Sequence, residues 1–474
     1  MGPRESHMSQ SDLFSWNMER DPILRSTIVS VLILDTDPDW DRLVETIDRG
    51  TRLVPRLRHR LVTAPFGLAP PRWALDPGFD LSWHLRRVVL PEPATRSAVL
   101  EFARTEAMTA FDPARALWRS TLLSGLSGGG CALVMTVHHS LTDGIGGIQI
   151  ATALLDFDRA GTDRGHPPEP PYDHDGALRD IVAWNWSVGS DLLRGGIRAI
   201  PQTAWRAVTH PARVVRDSAA LATSVVRLAK PVTATLSPVM IERSLGRRLA
   251  MLDAPIEQMR RAARAVGCTM NDAFLTAVVI GLRRYHDRHG AKVDQLRLTM
   301  PISLRTADDP LGGNRITLVR FAVPVDIAET EDLMCAVDAV VGGWRREPAI
   351  PLSGAVAAAF NRLPVGLVTE MLKHVDFVAS NVPGSPVLLY IAGARIDRMY
   401  AFGPTIGTAV NVTLTSYAGT CYVAVNADTA AIPDLATLTE CLAAGLATVL
   451  RLGGECAPQT AADATAEATR STPV

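Results

Sequence analysis

Cysteine is scarce and scattered. Six occur in 474 residues, at Cys131, Cys268, Cys335, Cys421, Cys441 and Cys456. No C-x-x-C pair exists, which argues against a zinc site or a secreted disulfide scaffold and fits reduced thiols in the cytoplasm. A surplus of one charge is missing too: 48 Lys+Arg stand against 49 Asp+Glu. No global basic field is available to hold nucleic acid, so a charge-driven partner has to meet a local patch. Nor is there a long apolar run. Charges at Arg4, Glu5, Asp12, Glu19, Arg20 and Asp21 exclude a signal-peptide pattern at the N-terminus. Ser6-His7-Met8 reads as the remnant of an expression tag, with Met8 the expected native start. The longest charge-free stretch, 399–427, is interrupted by Gly403, Pro404, Gly407, Asn411, Ser416 and Gly419; it predicts two or three strands rather than a membrane span. Finally, no G-x-S-x-G, P-loop or G-x-G-x-x-G stands in a convincing strand-to-helix context, which argues against a serine hydrolase, a nucleoside triphosphatase and a dehydrogenase.

What is present is an ordinary globular composition, 47% hydrophobic and 20% charged, over a length that suggests two to four domain-sized units. Residues 26–34 (STIVSVLIL) predict a strand, 39–49 and 94–110 amphipathic helices. Residues 118–123 and 131–138 predict two strands around a Gly-rich turn, followed by a helix beginning near Asp143. After residue 160 the composition changes to a Gly- and Pro-rich connection. Residues 177–248 then hold 11 Lys+Arg against 4 Asp+Glu, with Trp184, Trp186 and Trp205 interleaved. Such a segment either lies on an anionic membrane surface or forms linker helices whose tryptophans pack on a domain. A second α/β region follows. Strands are expected at 248–252, 296–301, 316–325, 375–380 and 387–391, and helices at 256–265, 271–288, 332–344, 356–373 and 431–452. The organisation read from this is 1–160, a crossover over 161–246, 247–453, and a disordered tail over 454–474.

The chemistry is carried by Val137-His138-His139-Ser140-Leu141-Thr142-Asp143-Gly144, an H-H-x-x-x-D-G string at a predicted strand end. Its chance occurrence in a chain with this histidine content is on the order of one in a thousand. Adjacent residues at a strand end point to opposite faces, so one imidazole can face a cleft while the other packs behind it. An imidazole near its ordinary pKa suits a general base for a hydroxyl. Asp143 reads either as the cap of the next helix or as a partner for an arginine. Gly144 permits close backbone approach. The alternative is a pair of structural histidines beside an Asp cap. Metal binding is not expected, because the next histidines, His166 and His174, offer no ligand spacing.

The histidine string resembles the active-site motif of chloramphenicol acetyltransferase-like acyltransferases. Further segments make the chain similar to the bacterial wax ester synthase/diacylglycerol acyltransferase family over about residues 10 to 450. These are Ser11-Asp12-Leu13-Phe14 with Met18-Glu19, Ala116-Leu117-Trp118, Thr269-Met270-Asn271-Asp272, Met300-Pro301-Ile302-Ser303-Leu304-Arg305 with Gly313-Asn314-Arg315, and Ser380-Asn381-Val382-Pro383-Gly384. Two departures stand out: Ala116 replaces a proline, and Tyr400-Ala401-Phe402-Gly403-Pro404-Thr405 replaces a Tyr-Pro-Val-Ser-Pro-like segment. The second bears on acceptor specificity.

The resemblance implies an α/β fold of two chloramphenicol acetyltransferase-like domains, each a mixed sheet flanked by helices, joined by a helical crossover with a tunnel between them. It implies acyl transfer from acyl-coenzyme A, a co-substrate, to a lipid alcohol or diacylglycerol, with no tightly bound cofactor and no metal. His139 would be the general base and His138 its support, with Asp143 and Gly144 completing the motif. Asn271 would stabilise the oxyanion. Trp118, Asn381, Pro383 and Gly384 would line the acyl path or tunnel, and Arg305 would pair with Asp143. The expected setting is cytoplasmic, peripheral to the inner membrane or to lipid bodies, with no nucleic acid. Two other readings stand beside it: a condensation-type or polyketide-associated acyltransferase using a carrier-protein thioester, and a non-catalytic lipid-binding protein.

Overall fold

The computed structural model describes residues 7–454 apart from 66–67, 163, 166, 169–183, 185, 187–231, 306–313, 315, 348–349 and 351–352. Most of the expected basic crossover and the expected tail after 454 lie outside the described residues.

The β-branched run near the N-terminus forms β1 (Thr27–Leu34), a central strand of a six-stranded sheet. Its neighbours on one side are β6 (Cys131–His138), β5 (Trp118–Ser124) and β4 (Leu85–Val89); on the other are β12 (Ala394–Phe402) and β11 (Tyr390–Ile391). A small separate hairpin joins β2 (His59–Val62) and β3 (Arg72–Leu75). The second sheet runs β7 (Arg247–Pro255), β14 (Thr420–Asp428), β13 (Val410–Tyr417), β10 (Phe377–Pro383), β8 (Gln295–Ser303), β9 (Ile316–Pro324). Both sheets are mixed. β4 runs parallel to β5, and β10 runs parallel to both β13 and β8, among otherwise antiparallel pairs.

The halves interlock. β12 belongs in sequence to the C-terminal half, yet it pairs with β1 from Val29 opposite Phe402 to Leu34 opposite Ile396. That pairing carries the chain directly from one sheet to the next, because β13 follows β12 after a short connection. The Tyr400 hydroxyl donates to Asp253 of β7, which ties the borrowed strand back to its own half.

Helices cover the sheets: α1 (Gln10–Met18), α2 (Trp40–Leu53), α3 (Leu81–His84), α4 (Arg96–Met108), α5 (Gly144–Leu154), α6 (Ile256–Val266), α7 (Met270–Arg288), α8 (Thr330–Arg345), α9 (Ser353–Phe360), α10 (Val365–Leu372) and α11 (Leu435–Arg451). α7 is the spine of the second half, with every residue from Asp272 to Leu282 buried. It meets α11 at two glycines. A Cβ on Gly281 would fall 2.8 Å from the Leu442 Cα, and one on Gly445 would fall 2.2 Å from the Ala277 carbonyl oxygen, so only glycine allows this approach. No single helix among the described residues is long and apolar enough to cross a membrane.

Two of the expected elements differ markedly from the sequence reading. The single helix expected over 356–373 is two, α9 and α10, because Pro364 lacks the N–H a continuous helix needs. The break also frees Asn361, whose side chain bonds Asn17 and Gln10 of the α1 segment. The strand expected over 387–391 shrinks to Tyr390–Ile391. Each sheet has its own apolar core, and a smaller third cluster of Met18, Leu24, Val368, Leu372, Val378 and Ile406 bridges the halves. The site lies beside that bridge.

Candidate active site

The chain leaves the sheet at the end of β6, and its two histidines are pinned by neighbouring strands. The His138 amide donates to Leu117 O at 3.0 Å and the His139 amide to Ser26 O at 2.8 Å. Successive side chains therefore point apart. His138 goes into the core at 0% exposure. Its Nδ1 accepts the Ser140 amide at 3.1 Å and lies 2.7 Å from the Ser140 hydroxyl. That acceptor role puts the ring proton on Nε2, which faces Glu19 Oε1 at 3.4 Å. Trp16 and Phe111 pack edge-on against the ring. Burial alone would raise the Glu19 carboxyl, but His138, the Ser26 amide and Arg25 together bring it below its ordinary value.

His139 faces a cavity of about 240 Å³ between the halves. Its lining includes polar side chains, among them Ser11, Ser15, Asn314 and Asn381, and apolar ones, among them Phe14, Met18, Phe360, Val368, Met371 and Leu372. Burial pushes the His139 pKa down; its own backbone carbonyl and Asp143 oppose the shift without cancelling it. The imidazole is therefore neutral at neutral pH and able to take a proton.

Asp143 caps α5, accepting the Gly146 amide at 2.7 Å. Its other oxygen lies 3.2 Å from an Arg305 guanidinium nitrogen, with side-chain exposures of 1% and 4%. Arg305 also approaches Gln149 Oε1 at 3.4 Å. The pair needs glycine at 146, where a Cβ would sit 2.9 Å from the Arg305 Nη2 and 2.5 Å from the Thr142 hydroxyl. Gly144 lines the cavity, and a Cβ there would press on Val382 of β10 at 2.9 Å.

Four expected positions fall outside the lining of that cavity. Trp118 is a core residue rather than part of an acyl path: its indole N–H donates to Leu57 O at 2.7 Å and its ring stacks on His84 at 4.7 Å. Asn271 does not line the cavity around His139. It lies within the Thr269–Asp272 capping box in the first turn of α7, with its side-chain nitrogen buried and without a hydrogen-bond partner among the described residues. Asn381 lines the cavity, whereas Pro383 and Gly384 lie beyond it. Gly384 serves packing, since a Cβ there would be 2.2 Å from Ser416 O.

Asn314, Asp12 and Ser15 are the residues that sequence reasoning left without a role. The Asn314 side-chain nitrogen lies 3.3 Å from His139 Nδ1 and 3.3 Å from Ser15 Oγ, while its backbone amide donates to Asp12 Oδ1 at 3.1 Å. Asp12 and Asn314 stand in segments that match the family pattern and Ser15 between two such segments, but no spacing links positions 12, 139 and 314; only the fold does. Among the described residues, no group of three or more His, Cys, Asp or Glu is arranged to hold a metal ion.

Residues 8–274 match the wax ester synthase/diacylglycerol acyltransferase catalytic domain, and residues 312–449 match the C-terminal domain of the same proteins. The chain belongs to the wax ester synthase/diacylglycerol acyltransferase family. As a member it is an acyltransferase. A Mycobacterium tuberculosis relative named for diacylglycerol O-acyltransferase activity is 34% identical over 459 residues, covering 93% of this chain and 91% of that protein. A second, named tgs1, is 26% identical, covering 85% and 86%. Among solved structures, the wax ester synthase/diacylglycerol acyltransferase from Marinobacter aquaeolei VT8 superposes with a TM-score of 0.63 at 21% identity, over 95% of this chain and 100% of that one. The first condensation domain of the CDA synthetase gives 0.61 at 16%, over 93% and 94%. These likenesses agree with the two-domain, chloramphenicol acetyltransferase-like fold.

A base role for His139 would carry a pH dependence. A protonated ring cannot accept a proton, so kcat/KM should fall as pH drops through the pKa of His139. Because burial depresses that pKa below the ordinary value, the acid limb should have its midpoint below about 6.5. A pH–rate profile with a midpoint above the ordinary histidine value would contradict this.

Proposed function

We propose that this family member transfers a long-chain acyl group from acyl-coenzyme A to the hydroxyl of diacylglycerol or a long-chain alcohol, with His139 as general base. The observation that carries the reading is the position of His139 on the wall of a cavity between the halves that is lined by both polar and apolar side chains. The imidazole takes the hydroxyl proton, the oxygen attacks the thioester carbon, and a tetrahedral oxyanion forms. Asn381, a hydrogen-bond donor lining the same cavity, would stabilise that charge. Collapse breaks the C–S bond, and the imidazolium returns its proton to the departing thiolate. No tightly bound cofactor takes part. Incubation with palmitoyl-coenzyme A and a panel of alcohols and diacylglycerols, following coenzyme A release and lipid product together, tests the reading. Turnover only with a carrier-protein thioester, or lipid binding with no coenzyme A release, would replace it.

A lipid acceptor calls for contact with a lipid surface on the cytoplasmic face of the membrane or on lipid bodies. The surplus of seven positive charges over residues 177–248 supports such contact. Trp186 supports it as well, at 79% exposure, and so do Leu363 and Leu367, at 42% and 55%, beside helices whose other residues line the cavity. Binding to anionic vesicles should therefore weaken with salt. Equal sedimentation with neutral and anionic vesicles would remove the electrostatic contribution.

A further inference from the structure

Three segments distant in sequence converge on the back of the His139 ring. Asn314 is buried just before β9, and Asp12 and Ser15 are buried on α1. Asp12 is itself fixed by a capping box with Ser9 and lies 3.5 Å from an Arg56 guanidinium nitrogen. Asn314 is thus gripped through its backbone by Asp12 and through its side chain by Ser15, and the end it presents to His139 is the carboxamide.

A carboxamide can meet Nδ1 with its nitrogen or, after a half-turn about its last bond, with its oxygen. With nitrogen toward the ring, Nδ1 has to accept and the ring proton is driven to Nε2, which then cannot act as a base. With oxygen toward the ring, Oδ1 accepts from both the Nδ1–H and the Ser15 hydroxyl. The ring also interacts with its own backbone carbonyl. That group only accepts and can reach only Nδ1, so it too requires a proton there.

We propose that Asn314 is the positioning residue of His139: anchored by Asp12 and Ser15, its amide oxygen holds the ring proton on Nδ1 and leaves Nε2 as the base. This rests on the acyl-transfer reading above. It also makes catalytic competence depend on α1 and the β9 entry being docked together, since neither segment alone holds the amide.

The test uses the full chain with Asn314→Leu and Asn314→Asp. Removing the hydrogen bond while keeping the shape should lower kcat about 100-fold, as misplacement of a reacting group does, with KM for palmitoyl-coenzyme A little changed. A carboxylate at 314 still holds Nδ1–H but favours the imidazolium. The acid limb of kcat/KM should therefore move up by about 1–3 pH units. The other ionisable groups around the ring, Asp143 and His138, with Arg305 and Glu19 behind them and Asp12 behind Asn314, are unchanged between the variants. The same shift should appear in the titration of His139 in [15N]histidine-labelled protein, assigned with His139→Gln, whether or not a substrate has been found. Wild-type kcat in Asn314→Leu, or an unmoved His139 titration in Asn314→Asp, would overturn the proposal. Absence of turnover in the wild type would instead overturn the acyl-transfer reading, and the labelled titration would still decide the role of Asn314. Should the leucine variant not fold, the aspartate variant keeps the polar contacts and carries the test.

Discussion

Replacing His139 by alanine is expected to lower turnover of palmitoyl-coenzyme A with an accepted lipid alcohol by about 10²–10⁴-fold, the usual worth of a general base. The protein should fold normally. His139 lines the cavity, and its removal deletes one hydrogen-bond partner of Asn314 without opening the core. Acyl-coenzyme A binding should largely survive, because the imidazole acts on the acceptor hydroxyl. His138→Ala should behave in the opposite way. That ring is fully buried between Ser140 and Glu19, so its loss strands buried polar groups at a cost of about 1–3 kcal/mol each. The activity loss among folded molecules should be smaller. Turnover and melting temperature measured on both variants decide the assignment. Near-wild-type turnover in a folded His139→Ala, or full inactivation in a folded His138→Ala, would reverse the roles.

The part of this site that could be read from sequence is the part encoded locally. Residues 131–144 combine a strand, a strand-end pair and a capped helix within one short stretch; period-2 patterning shows that only one of the two histidines can face a cleft, and the family resemblance assigns that place to the second. β9 was equally legible because it alternates buried and half-buried residues from end to end. α1 was not legible: it turns Asp12 and Ser15 inward together with Met18, so no apolar stripe announces a helix. Its polar inner face is functional, since those residues hold Asn314. Asn271 stayed ambiguous in sequence for a related reason: a helix start can serve a cap or a site. Trp118 was misassigned because burial against His84 and placement along a cavity leave the same mark in sequence, a large aromatic at a strand start.

The Asp143–Arg305 pair should prove architectural, and a double-mutant cycle should show it. Both side chains are almost fully buried, so Asp143→Ala takes the carboxylate partner from a desolvated guanidinium. Breaking such a pair from one side costs about 3–5 kcal/mol. Arg305→Met should cost a similar amount by leaving the carboxylate without its cation. The double variant should cost clearly less than the two singles added together, because removing both charges also removes the desolvation penalty that each imposed. A smaller part, about 1 kcal/mol, belongs to the cap that Asp143 provides for the Gly146 amide and should persist in the double variant. Asp143→Asn separates these contributions, since an amide still caps the helix while the ion pair is gone. Denaturant midpoints for the four variants and the wild type supply the cycle. Simple additivity, or an Asp143→Ala protein of unchanged stability that has lost all turnover, would move Asp143 from holding the α5 start against β8 into the chemistry itself.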